Sequence, residues 1–234
     1  MNTKDSQLSR LVTRWLIRET MGVLMVPVVL FWPAGRWDWG WGWALVALYA
    51  VWVAANAIIL IPRQPELLAE RAQRDISGMK SWDKTLLSVI GLLTLAKYIL
   101  AGFDVRYGWS APLPLWVHVV AGLTAALGYA AGTWAMAENA YFSLVVRIQN
   151  DRGHAVCNTG PYKFVRHPGY LGSALFELAV PLLLGSWVAL IFGGMAAILT
   201  VIRTALEDKT LQEELPGYKE FSQKTRYRLF PGIW

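Results

Sequence analysis

One cysteine, Cys157, and three histidines, His118, His154 and His167, are the soft metal ligands available to this chain. A lone cysteine excludes an internal disulfide, and histidines this scattered show none of the short His/Cys spacings of a zinc site. Charge is scarce too. Only 16% of the 234 residues are Asp, Glu, Lys or Arg, against 55% hydrophobic and a mean hydropathy of +0.36. That balance is too apolar for a soluble domain and reads as one all-α membrane unit. The net charge of +6 does not mark a nucleic-acid binder, because the basic residues fall in loops between apolar runs and not along one face. The run from Trp37 to Trp43 contains G-x-G but lacks the third glycine and the preceding strand of a dinucleotide fingerprint.

What the chain does have is length of apolar run and tryptophan. A helix needs about 20 residues to cross a hydrocarbon layer of about 30 Å. Four stretches qualify: residues 16–32, 41–61, 86–103 and 115–137, separated by Pro33-Ala34-Gly35, by a polar stretch over 62–84, and by Pro112 and Pro114. Two shorter runs, 170–184 and 187–202, meet at Gly185-Ser186 and predict a helical hairpin. Its 166–203 path is about 54 Å if helical, slightly short of two crossings, so a full span is left open. The first run follows Arg10, Arg14 and Arg18 as a secretory signal would, but the small-residue cleavage pattern is poor and more spans follow, so retention is expected. Thirteen tryptophans, several of them in Trp37–Trp43, predict an aromatic belt.

Apart from Arg36, Arg106 and Lys97, every Lys and Arg falls on one side of this arrangement, Arg74 in the 62–84 loop among them. The positive-inside rule puts that side, with both termini, in the cytoplasm. Lys97, His118 and Glu177 lie within apolar runs, where polar groups are costly. Hydrogen bonding between helices or snorkelling accounts for Lys97 and His118. Glu177, seven residues after Tyr170, shares a helix face with it.

The densest polar stretch, 146–172, joins the fourth run to the hairpin. Asn150-Asp151-Arg152-Gly153 and Gly160-Pro161 read as turns, 154–157 as a short extended piece, and Pro168 as the start of a helix whose end suits an anionic group. Arg203 and Glu207, four apart, share a face just past the last apolar run. A hairpin turning at Gly185 returns them to the level of Arg166 to Tyr170, so both polar clusters can share a pocket.

In order, the chain carries Gln149-Asn150, Gly160-Pro161-Tyr162, Arg166-His167-Pro168-x-Tyr170-x-Gly172, Arg203-x-x-x-Glu207-Asp208-x-x-Leu211, Gly217-Tyr218 and Arg228-x-x-Pro231. This series resembles the isoprenylcysteine carboxyl methyltransferases and the related membrane phospholipid methyltransferases, most strongly over 139–231. The first half resembles them in hydropathy and in the Pro65 to Arg71 loop, common in prokaryotic members. The apolar runs give four transmembrane helices in 1–138, where the family signal is low, and the resemblance makes 139–234 the methyltransferase core of connector, helical hairpin and tail; a prokaryotic inner membrane is expected. The resemblance implies S-adenosylmethionine as methyl donor, held by Gln149, His154, Ala155, Val156, Cys157, Tyr162, His167, Pro168, Gly169, Tyr170 and Glu207. Arg203 matches the arginine that holds a substrate carboxylate, and with Glu207 makes the expected catalytic pair. The implied partners are the bilayer and a lipophilic, lipid or prenylated acceptor. Two positions depart from the pattern: Asp208 stands where a second Glu is usual, and Leu215-Pro216 where a Phe is more common. Whether O, N or S accepts the methyl group, and the oligomeric state, stay open at this level. Two rival readings, an NADPH-dependent membrane reductase of the sterol reductase type and a non-catalytic scaffold, are separable by which cofactor binds.

Overall fold

The computed structural model describes residues 3–73 and 76–234, which leaves Arg74 outside the described residues. Helices make up the chain: α1 (Thr3–Ala34), α2 (Gly40–Arg63), α3 (Pro65–Gln73), α4 (Ser81–Tyr107), α5 (Leu115–Glu138), α6 (Pro168–Leu184), α7 (Trp187–Glu214) and α8 (Tyr218–Lys224). Among the described residues there is no strand. Five helices, α1, α2, α4, α5 and α7, are long and apolar enough to cross a membrane, with α6 a shorter apolar helix beside them. The expected four spans therefore gain α7, because the helix does not stop at Ile202 but runs on through Arg203 and Asp208 to Glu214. The polar 62–84 loop likewise hides a helix, α3, whose Leu67, Leu68 and Ala72 are buried against Trp15 and Leu60. Large apolar side chains such as Ile58, Leu92, Leu123, Leu127, Ile191 and Ile198 stand on the outside, as lipid-facing groups do.

The turn of the hairpin settles how far α6 and α7 reach. Gly185 closes α6 with φ +79, and Ser186 caps α7 by accepting the amide of Ala189 at 3.0 Å. The Ser186 hydroxyl donates to Asp104, at the end of α4, and Asp104 also accepts the Ser110 amide at 2.7 Å. His118, in the first turn of α5, donates through Nδ1 to the Leu183 carbonyl at 2.8 Å and stacks on Trp41 with ring centroids 4.4 Å apart. The turn thus sits at the end of the bundle where α4 ends and α5 begins, and the hairpin traverses the whole bundle. We call this the far end, and the opposite one, where Arg71, Arg147, Arg166 and Arg203 gather, the basic end.

Close backbone approach holds α5 to α6. A Cβ at Gly128 would lie 2.6 Å from the Gly172 carbonyl oxygen, so neither position admits a side chain without separating the helices. Polar pairs add register. Lys97 of α4 and Glu177 of α6 form a buried ion pair at 2.6 Å, with Thr94 donating to the same carboxylate at 3.2 Å. Glu177 therefore faces α4, while Tyr170, two turns earlier, faces α7. In α2 and α5, Trp52 donates to Thr133, which donates to Asn56. The tryptophan run divides its work. Trp37 and Trp43 are exposed at the far end, as a belt requires, whereas Trp39 is buried against Phe31 and Trp41 covers His118.

The Lys97–Glu177 pair makes a specific prediction. Lys97→Met leaves a buried carboxylate without its cation and is expected to cost about 3–5 kcal/mol, whereas Lys97→Met with Glu177→Leu recovers most of that loss. Unfolding of detergent-solubilised protein by denaturant checks it; equal destabilisation by the single and double variants would refute it.

Candidate functional site

At the basic end the connector 139–167 is held by its own side chains. Gln149, fully buried, donates Nε2 to the Tyr141 carbonyl at 2.8 Å and accepts Arg152 at 2.6 Å, while Arg152 also donates to the Ala140 carbonyl at 3.0 Å. Gly153, with φ +64, turns the chain into His154 as the sequence predicts, and the Tyr141 hydroxyl donates to its carbonyl at 2.8 Å. The amide of Gln149 donates to His154 Nδ1 at 3.3 Å, which puts the imidazole proton on Nε2. Burial, with Arg152 and Arg147 close by, pushes the His154 pKa down to about 4, so the ring is neutral at pH 7.

Asp208 joins the connector to α7 and to the tail. Fully buried, it accepts Arg166 through both oxygens at 2.7 and 3.0 Å, Arg228 at 2.8 Å, Gln212 at 2.7 Å and the Tyr218 hydroxyl at 3.1 Å, with His167 Nε2 at 3.2 Å. Arg166 also donates to the carbonyls of Thr225 and Arg226 at 2.9 and 2.8 Å. The amides of Arg166 and His167 donate to the carbonyls of Tyr227 and Arg228, so the segment before α6 is laced to the tail. Burial raises the pKa of the Tyr162 and Tyr218 phenols, with Asp208 adding to the effect at Tyr218, and both stay protonated.

These elements enclose a cavity of about 270 Å³. It is lined by His154, Ala155, Val156, Cys157, Tyr162, His167, Gly169, Tyr170, Arg203 and Glu207 among the predicted residues; Gln149 and Pro168 do not line it. Gln149 lies behind the wall, holding the connector's turn, and Pro168 begins α6 with its ring buried. Tyr170 donates its hydroxyl to Glu207. Arg203 lies over the Tyr170 ring, 5.0 Å from the centroid.

Arg203 is not paired with Glu207. Its Nε and Nη2 donate to Asp83 at 2.6 and 3.2 Å, and Nη2 also reaches the Leu144 carbonyl at 3.0 Å. Asp83, fully buried in the first turn of α4, accepts the Val146 amide at 2.7 Å as well. Residues 83 and 203 are far apart in sequence, and nothing local in Ser81-Trp82-Asp83 announces the contact. Tyr218 and Phe221 also line the cavity. Tyr218 was legible only as part of Gly217-Tyr218, and Phe221 carried no signal.

Residues 120–213 match the model of the isoprenylcysteine carboxyl methyltransferase (ICMT) family. Over this stretch the chain is similar to that methyltransferase family. The stretch runs from α5 through the connector into α7, so it contains most of the side chains around the cavity, while Asp83, Tyr218 and Phe221 lie outside it. An uncharacterised protein of Bacillus subtilis (strain 168), YpbQ, is 39% identical over 62 residues, covering 26% of this chain. The chain spans 37% of that relative's length. Within the matched stretch Asp208, one methylene shorter than a Glu, reaches both Arg166 and Arg228.

Two outcomes are expected from this geometry. Asp208→Asn leaves Arg166 and Arg228 short of an anion and should cost about 3–5 kcal/mol, with residues 218–234 becoming the first site of limited proteolysis; Asp208→Glu should be far milder. Unchanged protease resistance in Asp208→Asn would show that the tail is held by other means. For His154, the folded pKa lies below the ordinary value near 6.5. As pH falls below 6.5 the unfolded chain takes up a proton that the fold does not, so this group lowers stability progressively down to about pH 4 and has no effect above pH 7. A His154→Gln variant should therefore lose less stability than the parent between pH 6.5 and 5.

Proposed function

We propose that this protein is an S-adenosylmethionine-dependent methyltransferase that methylates the carboxylate of a lipophilic acceptor, with the basic end of the bundle in the cytoplasm. The observation that carries the reading is the cavity at the basic end, mostly inside the ICMT-matching region, where one carboxylate, Glu207, lines the space with Tyr162, Tyr170, Tyr218 and Phe221 and with four arginines, of which Arg166 and Arg203 are paired to buried acids. The donor set suits an adenosyl sulfonium. Glu207 supplies an anion for a positively charged group, and Tyr162, Leu215, Tyr218 and Phe221 form a buried cluster suited to a flat heterocycle. When bound, such a donor supplies an electrophilic methyl group on a sulfonium sulfur, which leaves as a neutral thioether.

The remaining work falls to the protein's own residues. Tyr170, donating to Glu207, fixes the orientation of that carboxylate. Neutral His154 and protonated Tyr162 offer hydrogen bonds without adding positive charge beside a cation. His167 is held by Asp208 and Tyr218, and Gln149 acts from behind by setting the connector. Pro168 starts α6 so that Gly169 and Tyr170 face the cavity. Arg203 is a positioning residue: Asp83 balances its charge, and it lies over the Tyr170 ring, whose hydroxyl orients Glu207. No general base is needed, because a carboxylate acceptor is already ionised at neutral pH. Opposite charges that neutralise as the methyl group moves are favoured in a dry pocket, and alignment of the two reactants supplies much of the rate.

Calorimetry with S-adenosylmethionine and S-adenosylhomocysteine should show micromolar-range binding by folded protein, and NADPH should give no heat. Glu207→Gln should weaken binding of the sulfonium about tenfold or more, the size expected of a charge-assisted contact of roughly 1.5–3 kcal/mol. Tyr170→Phe should weaken it less. Incubation with methyl-labelled donor and a membrane lipid extract should label a carboxyl ester. Absence of heat with both adenosyl ligands would overturn the reading, and binding of NADPH instead would favour a reductase.

A further inference from the structure

A second cavity, of about 510 Å³, lies beside the first and is lined by Arg18, Glu19, Gly22, Tyr49, Glu70 and Arg71, with Leu144 and Val145. Arg71, Leu144 and Val145 line both cavities and so form the wall between them. Gly22 of α1 and Tyr49 of α2 belong to helices long and apolar enough to cross a membrane, so the second cavity extends from the basic end into the membrane layer.

Its charges do not balance group by group. Arg18 pairs with Glu19 at 2.7 Å, and Glu70 with Arg147 at 3.3 Å. In the first cavity Arg203 is taken by Asp83 and Arg166 by Asp208. Arg71 differs. Its guanidinium donates to the Phe142 carbonyl at 3.3 Å and lies over the Phe142 ring at 5.8 Å, and among the described residues no carboxylate comes within 4 Å of it. Burial works against its charge while Glu19 and Glu70 favour it from a distance. A guanidinium desolvated in this way gains most from a carboxylate that can accept two of its N–H groups at once. The space next to it is lined by Gly22, Ile76, Leu144 and Val145 as well as by Arg18, Glu19 and Tyr49, so it offers apolar surface beside the guanidinium, as an amphiphile with an anionic head requires.

We propose that the second cavity is the acceptor chamber, and that Arg71 holds the carboxylate head of a long-chain amphiphile at the shared wall, facing Tyr170 and Glu207. The inference rests on the methyl-transfer reading for the purpose of the site, but not for its test. It also explains how an acceptor is recognised when Arg203 is already neutralised by Asp83: Arg71, without a carboxylate partner among the described residues, is on α3, in the Pro65 to Arg71 segment, and outside the ICMT-matching region.

The test needs no methyl donor. A palmitate analogue bearing a photoactivated diazirine near the middle of its chain is crosslinked to the full-length protein in detergent, and the labelled peptides are mapped by mass spectrometry. Labelling is expected on α1 and α2 around Gly22 and Tyr49. Unlabelled palmitate should compete at least about tenfold better than hexadecanol, as expected for one charge-assisted contact. Arg71→Gln should abolish that preference, and Arg71→Lys, which keeps the charge, should retain part of it. Crosslinks confined to other surfaces, equal competition by the acid and the alcohol in the parent protein, or an undiminished preference in Arg71→Gln would each overturn the proposal. Should Arg71→Gln not fold, the competition in the parent protein still decides. Palmitate preference without adenosyl binding would sink the methyltransferase reading and leave this site standing; adenosyl binding without the preference would do the reverse.

Discussion

The buried carboxylate of Asp208 is the interaction on which the basic end depends. It sits in α7 and accepts from Arg166 of the connector, Arg228 of the tail, Gln212 one turn on and Tyr218 of α8, with His167 against the same oxygen. These donors come from the connector, the tail, α8 and α7 itself. A single anion desolvated among several donors is stable only as a set, since removing any partner exposes the others to an unbalanced charge. The connector, tail and α8 are therefore coupled, and the cavity between them keeps its shape without a soluble domain to support it.

Two other ion pairs fix α4 against the hairpin at different depths. Asp83 meets Arg203 of α7 near the basic end, Lys97 meets Glu177 of α6 inside the bundle, and Asp104 receives Ser186 at the far end. Lipid offers no hydrophobic gain for helix association, so close glycine contacts and polar pairs carry a larger share of specificity there than in water. One face of α4 thus carries a polar contact at each level of the hairpin, and the height of α6 and α7 follows from it. The consequence for the site is direct, because Gly169 and Tyr170 on α6 and Arg203 and Glu207 on α7 come level only in that register.

On the proposed reading, the two cavities keep a water-soluble donor apart from a lipid-soluble acceptor. One is walled by the connector and tail and faces the basic end; the other reaches between α1 and α2. Their common wall is formed by Arg71, Leu144 and Val145, and on that reading the two molecules meet across it.

The sequence by itself determined the class of the protein and the location of its long apolar helices, because length and hydropathy in lipid leave helices as the economical choice. It also located the turn at Gly185-Ser186, the connector's turns and part of the lining of the first cavity, His154 to Cys157, Tyr162, His167, Gly169, Tyr170, Arg203 and Glu207, since those are marked by proline, glycine and closely spaced polar residues. Helix α3 escaped it, because a nine-residue amphipathic helix looks like a polar loop when its partners, Trp15 and Leu60, are remote. So did the true partner of Arg203. Spacing put Glu207 on its face, but helix neighbours compete with any acid that packing brings closer, and Asp83 from α4 wins. Gln149 and Pro168 read as site residues yet stand behind the wall, and Arg71 read as one loop cation among several. Which charges are matched and which is left over depends on contacts between residues far apart in the chain, and only the tertiary structure decides that.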